Sequence, residues 1–212
     1  GIIVRIVIWF VMREIFSQGA FSSFRIQDSH YRSVVNESRV FSAGTRRTSR
    51  PTVFISHKHS DLEDLKGLIG FLEQRYDVEC YIDSEDPGMP GVTSGVTADR
   101  IKKVISTSDR FILLATDNAI ESKWCNWELG YGDACKYYDR IAILPMKNQN
   151  RSFYTGTEYM QIYPRIVYLF PEDILASARI YHPELPSDIG YYVLSVDKNG
   201  KRSYQSLYSW LH

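Results

Sequence analysis

A tryptophan and a glutamate four residues apart, Trp124 and Glu128, are the side chains in this sequence best suited to chemistry. They occur in the segment Ser122 to Leu129, whose pattern predicts the opening turns of a helix. Because residues four apart on a helix share a face, the indole and the carboxylate should point into the same space. A flat aromatic wall beside one carboxylate suits a ligand with a flat ring and a sugar that becomes cationic as it reacts.

The elements that must position this pair are short apolar strands alternating with amphipathic helices. Ser60, with Glu63 three residues later, predicts a capping box at the start of the first helix after the first strand. Thr97 predicts the cap of a later helix whose apolar face includes Ile101, Val104 and Ile105. Such alternation predicts a parallel sheet with helices on both faces. The predicted strands are Thr52–Ser56, Val78–Asp83, Arg110–Ala115, Arg140–Pro145 and Arg165–Leu169.

In a parallel sheet of this kind, ligands bind beyond the carboxyl ends of the strands. Three segments meet at that edge by topology: Ser56 to His59, Asp83 with the Pro/Gly-rich loop Asp86–Gly91, and the loop that leads into Trp124. Lys58 offers a cation there for a phosphate group. Asp83 is equally compatible with capping its strand and with contacting a ligand. The nearby histidines have no acidic or thiol side chains beside them, which a metal site would require.

Composition narrows the class of protein. The 212 residues carry 25 basic and 25 acidic side chains, so the net charge gives no bulk attraction to nucleic acid or to an anionic surface. Residues 1–50 are locally basic, with eight arginines against three acidic residues. Three cysteines cannot all pair, and no short metal-type spacing occurs, so reduced thiols in a cytoplasmic protein are expected.

The two ends of the chain are predicted to lie outside the alternating region, which spans residues 51–170. Residues 1–50 are interpreted as an apolar N-terminal helix followed by a basic, Ser/Arg-rich linker from Ser17 to Arg50. The apolar run Ile2–Met12 is too short to span a bilayer, and it suits a packing helix, a membrane-surface anchor or a signal peptide. Residues 171–212 are predicted to form a C-terminal extension with a hairpin that turns at Asn199-Gly200.

Four motifs in this order resemble a family. The strand end Phe54 to His57, the strand end Tyr81 to Asp83, the Pro/Gly loop and the pair Trp124 and Glu128 together look like a bacterial, NAD-cleaving Toll/interleukin-1 receptor (TIR) domain. The resemblance implies a flavodoxin-like α/β fold with a five-stranded parallel sheet. It also implies self-association through TIR domains, with loop Pro87–Gly91 of one domain contacting its neighbour.

The resemblance further implies an activity: an NAD+ hydrolase or ADP-ribosyl cyclase that breaks the nicotinamide–ribose bond. NAD+ is then the substrate, and no cofactor or metal is expected. A stand-alone TIR protein of this size resembles the sensor of Thoeris antiphage defence, which makes a cyclic ADP-ribose signal for a separate effector protein. Glu128 matches the family's catalytic glutamate. The expected substrate-binding residues are Phe54, Ser56, His57, Asp83 and Trp124.

Two other functions fit the sequence. The first is a non-enzymatic TIR adaptor that only joins other TIR domains and would have no need for a carboxylate at position 128. The second is an enzyme like the nucleoside deoxyribosyltransferases, which share a similar fold and use a carboxylate in a similar way. Nicotinamide release from NAD+ separates the NAD-cleaving enzyme from the adaptor, and deoxynucleosides assayed beside NAD+ would reveal the deoxyribosyltransferase. No nucleic-acid partner is expected.

Overall fold

Five parallel strands form the centre of the fold, in the order β4-β3-β5-β6-β7. The structure, a computed structural model, describes residues 12–44, 48–83, 95–170, 186, 188 and 190–212. The strands are β1 (Met12–Arg13), β2 (Phe16–Ser17), β3 (Thr52–Ser56), β4 (Glu79–Ile82), β5 (Arg110–Thr116), β6 (Ile141–Lys147), β7 (Arg165–Leu169), β8 (Gly190–Val196) and β9 (Arg202–Ser206). The helices of the described residues are α1 (Asp28–Ser42), α2 (Leu62–Tyr76), α3 (Gly95–Thr107), α4 (Asp117–Glu121), α5 (Lys123–Cys135), α6 (Tyr159–Ile162) and α7 (Leu207–Leu211).

Strand β3 shows how the chain builds two hydrophobic layers around this sheet. Successive side chains of a strand point to opposite faces. Val53 and Ile55 therefore pack into a core that contains the apolar face of α2, while Phe54 packs into a second core with residues of α3 and α5. All five strands predicted from sequence are confirmed, as is the flavodoxin-like α/β architecture with helices on both faces.

An antiparallel hairpin extends the sheet beyond β7. Strand β8 pairs antiparallel with β7, and β9 pairs antiparallel with β8. The turn contains Gly200 at φ +78°, a left-handed conformation that glycine adopts without strain. The amide of Gly200 donates to the carbonyl of Asp197 at 2.9 Å. The predicted C-terminal hairpin with its Asn199-Gly200 turn is confirmed.

The start of the described chain is inserted between two central strands. Strand β1 pairs with the end of β7 and β2 with the end of β6, so this segment fills the gap where β6 and β7 separate. Glu14, between β1 and β2, accepts hydrogen bonds from the buried guanidinium of Arg165 at 2.8 and 2.6 Å. Met12 belongs to a strand rather than to the predicted apolar helix. The rest of that prediction, and the loop Asp86–Gly91, lie outside the described residues.

The predicted linker Ser17–Arg50 is wrong in its central part, which forms α1, a helix of 15 residues. This helix lies along the edge of β4, where the Ser38 hydroxyl accepts from the backbone amide of Ile82 at 3.1 Å. The ring of Phe41 stacks on Tyr81 with 4.1 Å between centroids. Several contact positions of α1 are serines that hydrogen-bond backbone groups, so the helix lacks the continuous apolar stripe expected from sequence.

Both predicted helix caps are also wrong. Residues 59–61 form a 3₁₀ turn, and α2 begins after Asp61, with no side-chain cap at its N-terminus. Glu63 instead pairs with Arg25 at 2.5 Å and Lys66 at 3.1 Å, which removes it from any capping box. Thr97 lies inside α3, which begins at Gly95.

Two helical glycines allow the N-terminal segment to pack closely on α2. A Cβ at Gly70 would lie 1.8 Å from the carbonyl oxygen of Phe24, and one at Gly67 would lie 2.8 Å from that of Phe21. Both obstacles are backbone atoms, so neither can be relieved by a side-chain rotation. The hydrophobic aromatic cluster of this layer, which includes Phe21 and Phe71 at 4.6 Å between centroids, depends on this approach.

We expect Gly70→Ala to lower the free energy of unfolding by about 3 kcal/mol, because overpacking against backbone forces the segment to shift. Gly130→Ala is the matched control: the site lies on an exposed face of α5 with no atom within 4 Å of the new Cβ. That substitution should raise stability by about 0.5–1 kcal/mol through helix propensity. Urea unfolding of both variants measures the difference, and equal stabilities would contradict the close packing of Phe24 on α2.

No helix within the described ranges is long and apolar enough to cross a bilayer.

Candidate active site

Glu128 is buried at the centre of α5 and faces the carboxyl end of β3. Ser122 caps the N-terminus of this helix, because its hydroxyl accepts from the amide of Cys125 at 3.3 Å. Only 1% of Glu128 is exposed. An acid this deeply buried is rare unless it is paired or has a function.

One oxygen of the Glu128 carboxyl group is engaged, and the other is not. The Ser56 hydroxyl donates to Oε2, while Oε1 is buried with no hydrogen-bond partner in the part of the chain that the structure describes. Burial raises the pKa of Glu128 well above its usual value, and the negative charge of Asp83 raises this pKa further. The hydrogen bond from Ser56, and the nearby indole N–H of Trp124, offset only part of the rise. Burial therefore favours the neutral form of this carboxyl group.

Asp83 lies directly after β4 and holds two neighbours in place. Its Oδ2 accepts from the indole Nε1 of Trp124 at 3.0 Å, and its Oδ1 lies 4.0 Å from a guanidinium nitrogen of Arg100. The side chain of Asp83 is only 6% exposed, so these contacts are shielded from water. Asp83 thereby fixes the aromatic wall predicted next to Glu128.

An aromatic ladder of Trp124, Trp127 and Tyr131 continues from this wall along α5. The two indoles stack with 4.7 Å between centroids, and Trp127 stacks on Tyr131 at 6.1 Å. The ammonium of Lys102, from α3, lies 6.0 Å from the centre of the Tyr131 ring. All three rings are only partly buried, so the ladder is a surface on which planar groups can stack.

The remaining predicted residues lie on β3 and its end. Phe54 is fully buried and packs beside Phe111 at 5.6 Å between centroids, and it also lines a small hollow next to Asp83. The Nδ1 of His57 lies 3.4 Å from the carbonyl oxygen of Ile55, next to its own strand. The structure thus gathers Ser56, Asp83, Trp124 and Glu128 into one cluster. Phe54 lies at the border of this cluster.

The nearby thiol of Cys125 is unsuited to nucleophilic chemistry. Burial, together with the negative charge of Glu128, raises the pKa of Cys125 to about 11. All three cysteines are free. In the described ranges, no group of three or more His, Cys, Asp and Glu side chains is arranged to hold a metal ion.

Three residues near the cluster are not among those predicted. Trp127 follows Trp124 by three positions, so the helical spacing could have indicated that the two rings meet. Arg100 lies one residue before Ile101 on α3, but the sequence gives no reason to bring it to Asp83. Arg39 lines the hollow from α1, a helix that sequence analysis did not expect.

Comparison with known proteins assigns this chain to a family. A family model of the TIR domain matches residues 53–162, just over half of the chain. The chain therefore belongs to the TIR domain family, as the ordered motifs indicated. The matched region contains the whole Ser56, Asp83, Trp124 and Glu128 cluster, while α1 lies outside it.

A curated relative of this chain is the "Probable 3' cyclic ADP-D-ribose synthase ThsB'" of Bacillus cereus (strain MSX-D12). It is 31% identical to this chain over 117 residues, which cover 54% of this chain. The chain spans 59% of the length of that relative.

Proposed function

We propose that this protein cleaves the nicotinamide–ribose bond of NAD+ and releases a cyclic ADP-ribose product, with hydrolysis to ADP-ribose as the competing outcome. The observation that carries the proposal is the buried Glu128, whose Oε1 has no hydrogen-bond partner among the described residues. A buried polar atom without a partner is costly, and such atoms are concentrated at functional sites. The relative described as a probable cyclic ADP-D-ribose synthase supports the same activity.

Cleavage of the nicotinamide–ribose bond does not require a strong nucleophile. The bond between C1′ of the ribose and the pyridinium nitrogen breaks heterolytically, and its electron pair goes to nicotinamide, which leaves as a neutral molecule. The ribose becomes an oxocarbenium-like cation. The positive charge of the approaching pyridinium favours the ionised form of Glu128, and a proton held by this group passes to solvent. The resulting carboxylate then stabilises the sugar electrostatically in a site with little water.

Ser56 and Asp83 prepare this carboxylate in different ways. The Ser56 hydroxyl holds Oε2, so Oε1 is the oxygen left to face the ribose hydroxyls. Asp83 fixes the indole of Trp124 at 3.0 Å, which orients a flat surface for the nicotinamide ring. The proposed substrate contacts are those of Phe54, Ser56, His57, Asp83 and Trp124.

Cyclisation requires the adenine to fold back and reach the cation before water does. The stacked rings of Trp124, Trp127 and Tyr131 offer an aromatic surface that would hold a folded dinucleotide. The new bond then forms between C1′ and a nucleophilic atom of the same ADP-ribose, with loss of a proton to solvent. The aromatic ladder therefore favours the cyclic product over plain hydrolysis.

The biological setting belongs to the same proposal: a cytoplasmic protein whose product acts on a separate effector in antiphage defence. The three free cysteines support a reducing compartment. The name of the relative supports a cyclic ADP-ribose as product.

The direct test is incubation of the full chain with NAD+, with nicotinamide release followed by chromatography and the product identified by mass spectrometry and NMR. The proposal expects one nicotinamide per NAD+ consumed and a product with the mass of ADP-ribose less one water. A TIR adaptor would release no nicotinamide, and a deoxyribosyltransferase would act on deoxynucleosides offered in a parallel reaction. Either of these results would contradict the proposal.

We also expect the specific activity to rise with protein concentration, because the resemblance implies that TIR domains complete their sites by stacking. Specific activity should rise at least about tenfold across the concentration range in which the chain associates, because the fraction of assembled protein increases over that range. Initial rates measured from nanomolar to high micromolar protein, with light scattering on the same samples, test this. A flat profile of specific activity through the association range would contradict a shared site.

A further inference from the structure

The three rings of the aromatic ladder are stacked along the axis of α5. Helix geometry separates residues three and four apart by about 4.5 and 6 Å along that axis. The ring centroids of Trp124 and Trp127 lie 4.7 Å apart, and those of Trp127 and Tyr131 lie 6.1 Å apart. The ring planes differ by 25° in the first pair and by 19° in the second. The ring spacing therefore follows the helical rise, and Trp127 lies between the other two rings.

The two ends of this stack differ. At one end, the ammonium of Lys102 lies 6.0 Å from the centre of the Tyr131 ring. At the other end, Trp127 is the one ring that stacks on Trp124 among the described residues. Helix α5 follows β5 with only the short α4 between them, so the Trp124 end lies nearest the carboxyl edge of the sheet, where ligands bind. The face of Trp124 that points away from Trp127 is therefore the face that can accept a planar ligand.

Two contacts define the orientation of the Trp124 ring. Asp83 accepts a hydrogen bond from its indole Nε1 at 3.0 Å, which fixes one edge of the ring. A hydrogen bond at one edge still allows the ring to turn about that bond, and the second side-chain torsion of tryptophan has only a broad intrinsic preference. Trp127 lies against one face of the ring and blocks this rotation. The tilt of Trp124 therefore depends on Trp127.

Trp127 itself is held by ring contacts. Its indole N–H makes no hydrogen bond with any residue that the structure describes, whereas the indole N–H of Trp124 is bonded to Asp83. Trp124 lies over one face of Trp127, and Tyr131 lies over the other. A ligand can therefore meet Trp127 only at its edge. Its main contribution to the site is the support that it gives to Trp124.

We infer that Trp127 is a positioning residue, which fixes the tilt of Trp124 and thereby the plane of the nicotinamide ring of NAD+. This inference rests on the proposed function, which places the nicotinamide ring on Trp124. Glu128 lies on the same helix and accepts a hydrogen bond from Ser56, so a fixed Trp124 sets the nicotinamide ring relative to the carboxyl group. The bond that breaks joins this ring to the ribose, and a misplacement of about 1 Å at such a bond can cost about 10²-fold in rate.

A double-mutant cycle in the full chain tests whether Trp127 acts through Trp124. Trp127→Leu keeps an apolar side chain but removes the flat ring, and it should lower kcat/KM for NAD+ by about tenfold. Trp127→Phe keeps a ring and should stay within about threefold of wild type. In a chain that already carries Trp124→Leu, adding Trp127→Leu should cost less than about twofold, because the ring that Trp127 positions is gone. Nicotinamide release measures turnover, and ligand-observed NMR gives the Kd of free nicotinamide for the same cycle without turnover.

Two further variants control for effects on folding. Tyr137→Leu removes an aromatic ring that is 74% exposed and lies just beyond the end of α5, outside the stack. Its kcat/KM should stay within about twofold of wild type. Tyr131→Leu removes the ring behind Trp127 and is the milder test if Trp127→Leu fails to fold. It should lower kcat/KM by about threefold, and only in a chain that retains Trp124.

The outcomes separate this inference from the proposed function. Equal losses from Trp127→Leu with and without Trp124 would overturn the inference, because a direct ligand contact or a general packing defect would persist when Trp124 is absent. Wild-type kcat/KM in Trp127→Leu would also overturn it. Both results leave the proposed function intact, since the wild type still releases nicotinamide. A wild type that releases no nicotinamide from NAD+ would overturn the proposed function, and the inference with it.

Discussion

Glu128→Gln should reduce nicotinamide release from NAD+ by about 10²–10³-fold or more, the usual cost of removing one preorganised electrostatic group from an active site. Glutamine has the shape of the neutral acid and keeps an oxygen for the Ser56 hydroxyl to donate to. It cannot become negative when the ribose becomes positive. The variant therefore separates the charge of the carboxylate from its packing, and the loss should fall on kcat and kcat/KM rather than on KM alone.

Glu121→Gln is the matched control for this experiment. Glu121 is exposed at the end of α4, seven residues before Glu128, and its substitution makes the same change of side chain at an exposed site. Its turnover should stay within about twofold of wild type, as for most surface substitutions. Nicotinamide release that persists at the wild-type rate in Glu128→Gln would remove Glu128 from the mechanism.

The same substitution should stabilise the protein, and the gain should grow with pH. The folded-state pKa of Glu128 is raised by burial and by Asp83, so folding favours the protonated group at any pH between its ordinary pKa and the folded-state pKa. Wild-type stability is therefore greatest below the ordinary glutamate pKa and falls as the pH rises toward the folded value. Glutamine has no such penalty, so the gain should grow by up to about 1.4 kcal/mol for each pH unit between the two pKa values.

Urea unfolding at pH 4, 5, 6, 7 and 8 measures this effect in wild type, Glu128→Gln and Glu121→Gln. The stability difference between Glu128→Gln and wild type should be near zero at pH 4 and increase with each step. Asp83 and Cys125 also face Glu128, so the difference measures the titration of Glu128 together with its electrostatic coupling to these two groups. A difference that is the same at every pH would show that Glu128 is ionised in the folded state.

The elements with strong local patterns could be predicted from the sequence. The five central strands are short runs of apolar residues, and burial on both faces of a parallel sheet is what such runs predict. The hairpin turn follows from Asn199-Gly200, since glycine tolerates the left-handed conformation that the turn requires. Helix α1 could not be predicted in the same way, because Ser38 and Ser42 replace apolar residues at its buried positions.

The residues of the site also differ in whether local sequence patterns could predict their positions. Trp124 and Glu128 are neighbours on one helix, so local spacing alone predicted that they share a face. Ser56 and Asp83 follow from topology, because both lie at the carboxyl ends of neighbouring parallel strands. The partners of the N-terminal segment come from long-range pairing instead: Arg39 reaches the hollow only because the Ser38 hydroxyl meets the Ile82 amide across 44 positions of sequence.

The covering of β4 by α1 has a consequence for how this protein is dissected. Strand β4 is the outermost parallel strand, and an uncovered strand edge offers its backbone groups to any other chain with a free edge. A chain shortened to the family domain would lose α1 and leave this edge open to intermolecular pairing. Such a fragment could become insoluble or inactive because the edge of β4 is uncovered. That result would say nothing about the chemistry of Glu128.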